Sequence, residues 1–290
     1  MTRTGAAEPR GYDSGGRNSS VLSIKPFRRL WMALTLSSLG DWLSLLALTA
    51  LAGNIIGRTD GYRAQAFAVG GVLVVKLLPA VIFGPLGGAL ADRFDRRLAM
   101  VIADLCRFGL IASIPLVGRL DWLFIAAFLA ECAALLWNPA KDATIPNLVP
   151  ADRLQQAKRF ALMTTYGSAP IAGGLFSVLA LISGAALAKN DQADLALYIN
   201  AVAFLVSAIT IFTLKSIPSR DTERISVPSM LKQIGAGRRF AGSTPGIRGL
   251  ALGLVGASAA GGIVIGIAKI YVQALRGGDA GYGAVFAAVF

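Results

Sequence analysis

The chain has 290 residues, 55% hydrophobic and 15% charged, with a mean hydropathy of +0.62, well below the roughly 25% charge of a water-surrounded globule. It contains no histidine, which excludes Ser-His-Asp and Cys-His catalysis and histidine metal sites in this segment. The net charge of +12 is confined to short segments between apolar runs, with no basic face interleaved with aromatics, so no nucleic-acid partner is expected.

Residues 1–24 are polar and rich in Gly, Ser and Arg. Lacking an apolar h-region, they are predicted as a disordered cytoplasmic tail, not a signal peptide. Six runs then approach the roughly 20 residues that cross a bilayer: Leu30–Ile56, Gln65–Ala91, Leu98–Val117, Trp122–Trp137, Phe160–Leu187 and Leu195–Leu214. A seventh covers Gly249–Leu275, and an eighth starts near Tyr282. Cys106 and Cys132 fall inside apolar runs and read as small buried hydrophobes.

Alternate connectors carry the basic charge. The tail through Arg29 and the links between spans two and three, four and five (Lys141 included) and six and seven hold 20 Lys and Arg. The opposite set holds five: Arg58, Arg63, Arg119, Lys189 and Arg276. This asymmetry predicts a multi-pass inner (plasma) membrane protein with a cytoplasmic N-terminus. The abrupt stop of GPLGGALADRFDRR, Gly84 to Arg97, is then a tight cytoplasmic turn at the bilayer edge.

Three Lys and Arg remain inside spans, each costing about 2.5–3.5 kcal/mol on insertion scales. At about 1.5 Å per residue, Asp41 and Lys76 lie roughly 16 Å from their span borders, and Glu131 and Arg107 about 13–14 Å. The four converge at mid-depth. Asp104, on the same face as Arg107, reads as its structural ion-pair partner. Asp41 and Glu131 have two readings: proton carriers in an apolar cavity, or neutralising partners of Lys76 and Arg107. Trp42, Phe83 and Trp137 offer apolar surface to a cavity, or pack against neighbours. Lys269 is expected to snorkel to the outer edge.

The turn between spans two and three follows the pattern G-x-x-x-D-R-x-x-R-R with Gly88, Asp92, Arg93, Arg96 and Arg97, and with Asp95 where glycine is commoner. With FRRLWMALTLSSLGDWL (Phe27–Leu43), IADLCR (Ile102–Arg107) and WNPAKDATIPNLVPADRLQQA (Trp137–Ala157), it resembles the major facilitator superfamily. Within that superfamily it is similar to the third drug:proton antiporter group, which includes macrolide-efflux-like and siderophore-exporter-like proteins. The resemblance implies that Gly88 lets helices approach, Asp92 latches a cytoplasmic gate and the arginines anchor in headgroups; a merely solvated basic loop is the alternative. It also implies an antiporter motif on helix five, matched in part by Gly167, Pro170, Gly173 and Gly174, with Ala169 for the first glycine of its G-P-x-x-G-G end. Many relatives carry an arginine on helix four, and none lies within Trp122–Trp137.

The expected fold is therefore all-α and polytopic. A six-helix lobe (25–214) follows the tail, then an inter-lobe link (215–248) with a short interfacial helix around Met230, Leu231, Ile234 and Phe240. The start of a second lobe (249–290) is expected to be cut short by the chain end. The expected function is proton-coupled export of amphipathic small molecules by alternating access, with lipid and protons as partners and no cofactor or metal. Two alternatives stand beside it: the membrane part of a bifunctional protein with a thymidylate kinase-like domain beyond Phe290, and a non-transporting sensor. No G-x-x-x-x-G-K-[ST] loop is present in the chain.

Overall fold

The computed structural model describes residues 20–56, 61–91, 95–186, 191–214, 239 and 242–289. Among them the regular structure is all helix. The helices are α1 (Lys25–Ile56), α2 (Gly61–Ala91), α3 (Arg96–Val117), α4 (Leu120–Leu148), α5 (Leu154–Ala186), α6 (Asp191–Phe212), α7 (Pro245–Ala274) and α8 (Gly278–Val289). Six helical segments, one in each of α1–α6, are long and apolar enough to cross a membrane, matching the six full runs of the sequence.

Several boundaries move. The tail does not stay free to residue 24: Val21–Ser23 form a 3₁₀ turn, with Val21 buried against the bundle. The fourth helix does not end at Trp137 but runs to Leu148 through Pro139 and Pro146, so Lys141 sits on a helix and not in a connector. Its ammonium pairs with Asp142 at 3.2 Å and lies 5.6 Å from the Trp137 ring centroid. The eighth helix starts at Gly278, ahead of Tyr282, which is fully buried. The interfacial helix expected around Met230, Leu231, Ile234 and Phe240 lies outside the described residues.

α1 is the axis of the bundle. It packs on α2, α5 and α6, while α3 packs between α4 and α6. Every residue from Leu43 to Asn54 is buried, as expected of a helix apolar all round and enclosed by others. At Gly40, α6 comes close: a Cβ there would stand 2.2 Å from Asn200 Oδ1, so no side chain larger than hydrogen fits without displacing Asn200.

The buried apolar residues form two clusters. One holds the start of α1, Met100 of α3, the second half of α4 and the last turns of α6; with Arg96 and Arg97 nearby, it marks the basic end. The other holds Leu43–Ala52, Ile111 and Ile114, the first half of α4, Ala169–Phe176, and Tyr282 and Phe286 of α8. Between them each helix is interrupted: α1 from Leu34 to Leu43, α3 from Ala103 to Ile111, and α4 from Ala130 to Trp137. The interruptions coincide with the interior charges.

Among the described residues, the α7–α8 hairpin seats on the half away from the basic end. α8 packs on α5, and α7 touches α2. Thr49 and Tyr282 hydroxyls meet at 3.2 Å, and Asn54 Nδ2 donates to Asp279 Oδ2 at 3.1 Å. Ser177 Oγ donates to the Ala280 carbonyl at 2.8 Å, and Gln65 Nε2 to Gln273 Oε1. α5 and α8 meet at Gly173 and Gly283.

Candidate functional site

The gap between the two clusters is a layer of charge. Arg107 of α3, 3% exposed, is its centre. One terminal nitrogen donates to Asp41 Oδ1; the other donates to Ser37 Oγ at 3.1 Å and lies 3.6 Å from Asp104 Oδ1. The guanidinium carbon lies 3.8 Å from the Phe204 ring centroid, a cation–π contact that offsets part of the lost hydration. Asp104 is fully buried; its Oδ2 accepts Ser207 Oγ at 2.6 Å and Trp137 Nε1 at 3.1 Å. A second pair, Lys76 of α2 with Glu131 of α4, is partly exposed.

The expected ion pair of Asp104 with Arg107 is present at 3.6 Å, and Asp41 and Glu131 pair with Arg107 and Lys76, as one of their two readings had it. Arg107 hydrogen-bonds Asp41 and Ser37 on α1, while Asp104 accepts from an indole and a hydroxyl. Asp41 remains 44% exposed, the most open carboxylate of the layer. Trp137 is buried and donates to Asp104, so it is a packing residue and not a cavity wall. Trp42 is half-buried; its indole donates to the Thr165 carbonyl at 2.8 Å and its ring lies 5.9 Å from that of Phe286. Phe83 is exposed on α2.

Charge counting within the layer gives a simple result. Three carboxylates, Asp41, Asp104 and Glu131, face two cations, Arg107 and Lys76. A buried charge is tolerated when paired and hydrogen-bonded. Among the described residues, the layer with all five groups ionised is one positive charge short of neutrality.

Two gate-motif arginines bond helix backbone. Arg96 Nη1 donates to the Ala143 carbonyl of α4 at 2.8 Å. Arg97 donates to the carbonyl of Phe212, the last residue of α6, with its guanidinium 5.0 Å from that ring. The last carbonyls of a helix lack intrahelical donors and draw cations, a stronger reason for placement than a diffuse lipid surface. Asp95 caps α3, accepting from Leu98 N at 3.0 Å. Gly88 lies on α2, whereas Asp92 and Arg93 lie outside the described residues.

Of the helix-five motif, Gly173 alone is at a close crossing; Gly167 and Gly174 have open space where a Cβ would be. Pro170 stands inside a continuous α5. The cysteines are not buried: Cys106 is exposed and Cys132 partly so, because an apolar position in this bundle faces outward as readily as inward.

Lys269 overturns the snorkelling expectation. It is fully buried and paired with Asp279, which in turn accepts from Asn54 across the seam with α1. The signal was present in the sequence, as a lysine inside an apolar run followed ten residues later by an aspartate across the turn Arg276–Gly278.

Helices of membrane-crossing length, closed around a polar layer at mid-depth, define the class as a polytopic helical membrane protein built like a carrier. Residues 18–289 match the family described as transmembrane secretion effector, and the chain belongs to that family, within the drug-efflux group of the major facilitator superfamily. It is 31% identical over 190 residues to the MFS-type transporter YfiS of Bacillus subtilis (strain 168), covering 66% of this chain and 42% of the relative. It is 32% identical over 200 residues to the putative bacilysin exporter BacE of Bacillus amyloliquefaciens, covering 66% and 45%. It is also 27% identical over 127 residues to macrolide efflux protein A of Streptococcus pyogenes, covering 42% and 31%. These matches therefore span less than half the length of each curated relative.

Proposed function

We propose that the chain is the first lobe and the start of the second lobe of a proton-coupled exporter of amphipathic small molecules, working by alternating access and not as an enzyme. The lobe spans 25–214, the link 215–248 and the second-lobe start 249–290, with the basic end cytoplasmic in the inner membrane. The observation that carries this reading is the charge layer between two apolar clusters. It holds three carboxylates against two cations, and a proton supplies the missing charge at least cost in hydrocarbon. Asp41 and Glu131 are the carriers, because both are partly open whereas Asp104 is fully buried. The family membership and the efflux relatives support export.

Among the described residues, contacts between the six-helix unit and the α7–α8 hairpin run from mid-depth to the end away from the basic one. This supports an inward-facing arrangement. Export then requires these contacts to part while the basic end closes through Arg96, Arg97 and the Asp92 turn.

The test uses the full-length natural protein in proteoliposomes, with an imposed pH gradient and an amphipathic fluorescent dye as the probe. Dye should move against the proton flow, and Asp41→Asn or Glu131→Gln should abolish that coupling. Normal coupling in both variants would sink the proton assignment.

A further inference from the structure

We infer that Trp42 is a positioning residue that transmits the state of the Asp41–Arg107 pair to the α5–α8 seam; this deepens, and rests on, the carrier reading above. Trp42 follows Asp41 directly on α1. Asp41 and Ser37 both tie α1 to α3 through Arg107, so releasing the Asp41 bond removes the ionic part of that tie and lets α1 pivot about Ser37, and the indole moves with it.

The indole touches the two helices that meet at the seam. Its Nε1 donates to the Thr165 carbonyl of α5 at 2.8 Å, and its ring meets Phe286 of α8 at 5.9 Å between centroids, tilted by 52°. A tryptophan side chain has only two rotatable angles, so it passes a displacement on instead of absorbing it.

The receiving turn of α5 is weakened by a proline. Pro170 has no N–H, so the Tyr166 carbonyl loses its helical donor. The Thr165 carbonyl accepts Ser168 Oγ at 3.0 Å besides the indole. Three residues after Pro170 stands Gly173, which meets the α8 backbone without room for a methyl group. A push at Thr165 thus arrives eight residues, about two helical turns, before the Gly173–Gly283 crossing.

A second indole on α1 supplies the control. Trp31 Nε1 donates to Thr164 Oγ1 of α5 at 2.7 Å, but Trp31 is ten residues from Asp41 and its ring has no contact with α8 among the described residues.

The experiment measures the distance between spin labels at Val178→Cys on α5 and Val285→Cys on α8. Cys106 and Cys132 are changed to serine, and the chain is held in phospholipid nanodiscs. Asp41→Asn and Arg107→Gln should each change the distance populations. In a Trp42→Phe background, which keeps a ring and removes the N–H, both changes should shrink at least about fivefold, the lower end of usual coupling factors. In a Trp31→Phe background they should persist. Undiminished changes with Trp42→Phe, equal loss with Trp31→Phe, or no response of the seam to either pair variant would each overturn the proposal. These distances report no proton movement, so a failure of proton-driven dye transport is read separately.

Discussion

Gly173 and Gly283 cross backbone to backbone. A Cβ on Gly173 would stand 2.7 Å from Ala287 N and 2.9 Å from the Gly283 carbonyl, and one on Gly283 would stand 2.7 Å from both the Gly173 carbonyl and Ser177 N. No flexible side chain is available to yield. Small residues at a membrane-helix crossing let dispersion contacts form along the whole seam, and here the seam joins α5 to α8.

Glycine to alanine in a helix interior normally stabilises by about 1 kcal/mol. At Gly173 and Gly283 the sign should reverse, with overpacking costing about 1–3 kcal/mol or more. Gly174→Ala, with open space around it, should be neutral or stabilising. Thermal unfolding in detergent checks the contrast; a lower Tm for all three substitutions, or for none, contradicts the crossing.

Lys269 and Asp279 form a pair that is almost wholly out of contact with water. Removing one partner strands the other, at a cost of about 3–5 kcal/mol. Lys269→Met and Asp279→Asn should therefore each destabilise strongly, while the double variant should recover most of the loss. A double-mutant cycle on unfolding free energy measures this, and additive losses would mean the two groups do not meet.

Arg97 holds the terminal carbonyl of α6. Arg97→Ala should cost about 1.5–3 kcal/mol, as for a hydrogen bond to a charged group, and should raise amide exchange in the last turn of α6. If exchange there is unaltered, the arginine is serving the lipid surface after all.

Charge asymmetry assigns sides. Single cysteines replacing Arg96 and Arg239 in a cysteine-free background should react with a membrane-impermeant maleimide from the same side of the membrane, and one replacing the exposed Arg119 from the other. Labelling of positions 96 and 239 from opposite sides would refute the proposed topology.

The helices and the interior charges were legible in the sequence because hydropathy and charge are properties of a residue and its near neighbours. Six spans, the basic connectors and the shared depth of Asp41, Lys76, Arg107 and Glu131 followed from counting alone. Local reading failed where an end is set by a partner. α4 continues past Trp137 because Trp137, Ile145 and Leu148 are buried against α1, α3 and α6, and a run of apolar residues carries no mark of that.

Pairing was decided only in three dimensions. Asp104, one helical turn from Arg107, pairs with it at 3.6 Å, yet the guanidinium hydrogen-bonds Asp41, 66 positions away in the chain, a choice that the packing of α1 beside α3 makes. Burial was equally hidden. In water an apolar face must turn inward, but lipid is as apolar as a core, so no periodicity separates Cys106 on the surface from Lys269 at the seam. Composition and the spacing of apolar runs determined that the chain is a multi-pass membrane protein. The interhelical packing alone chose which charges meet, because that choice depends on distances between segments that the order of residues does not encode locally.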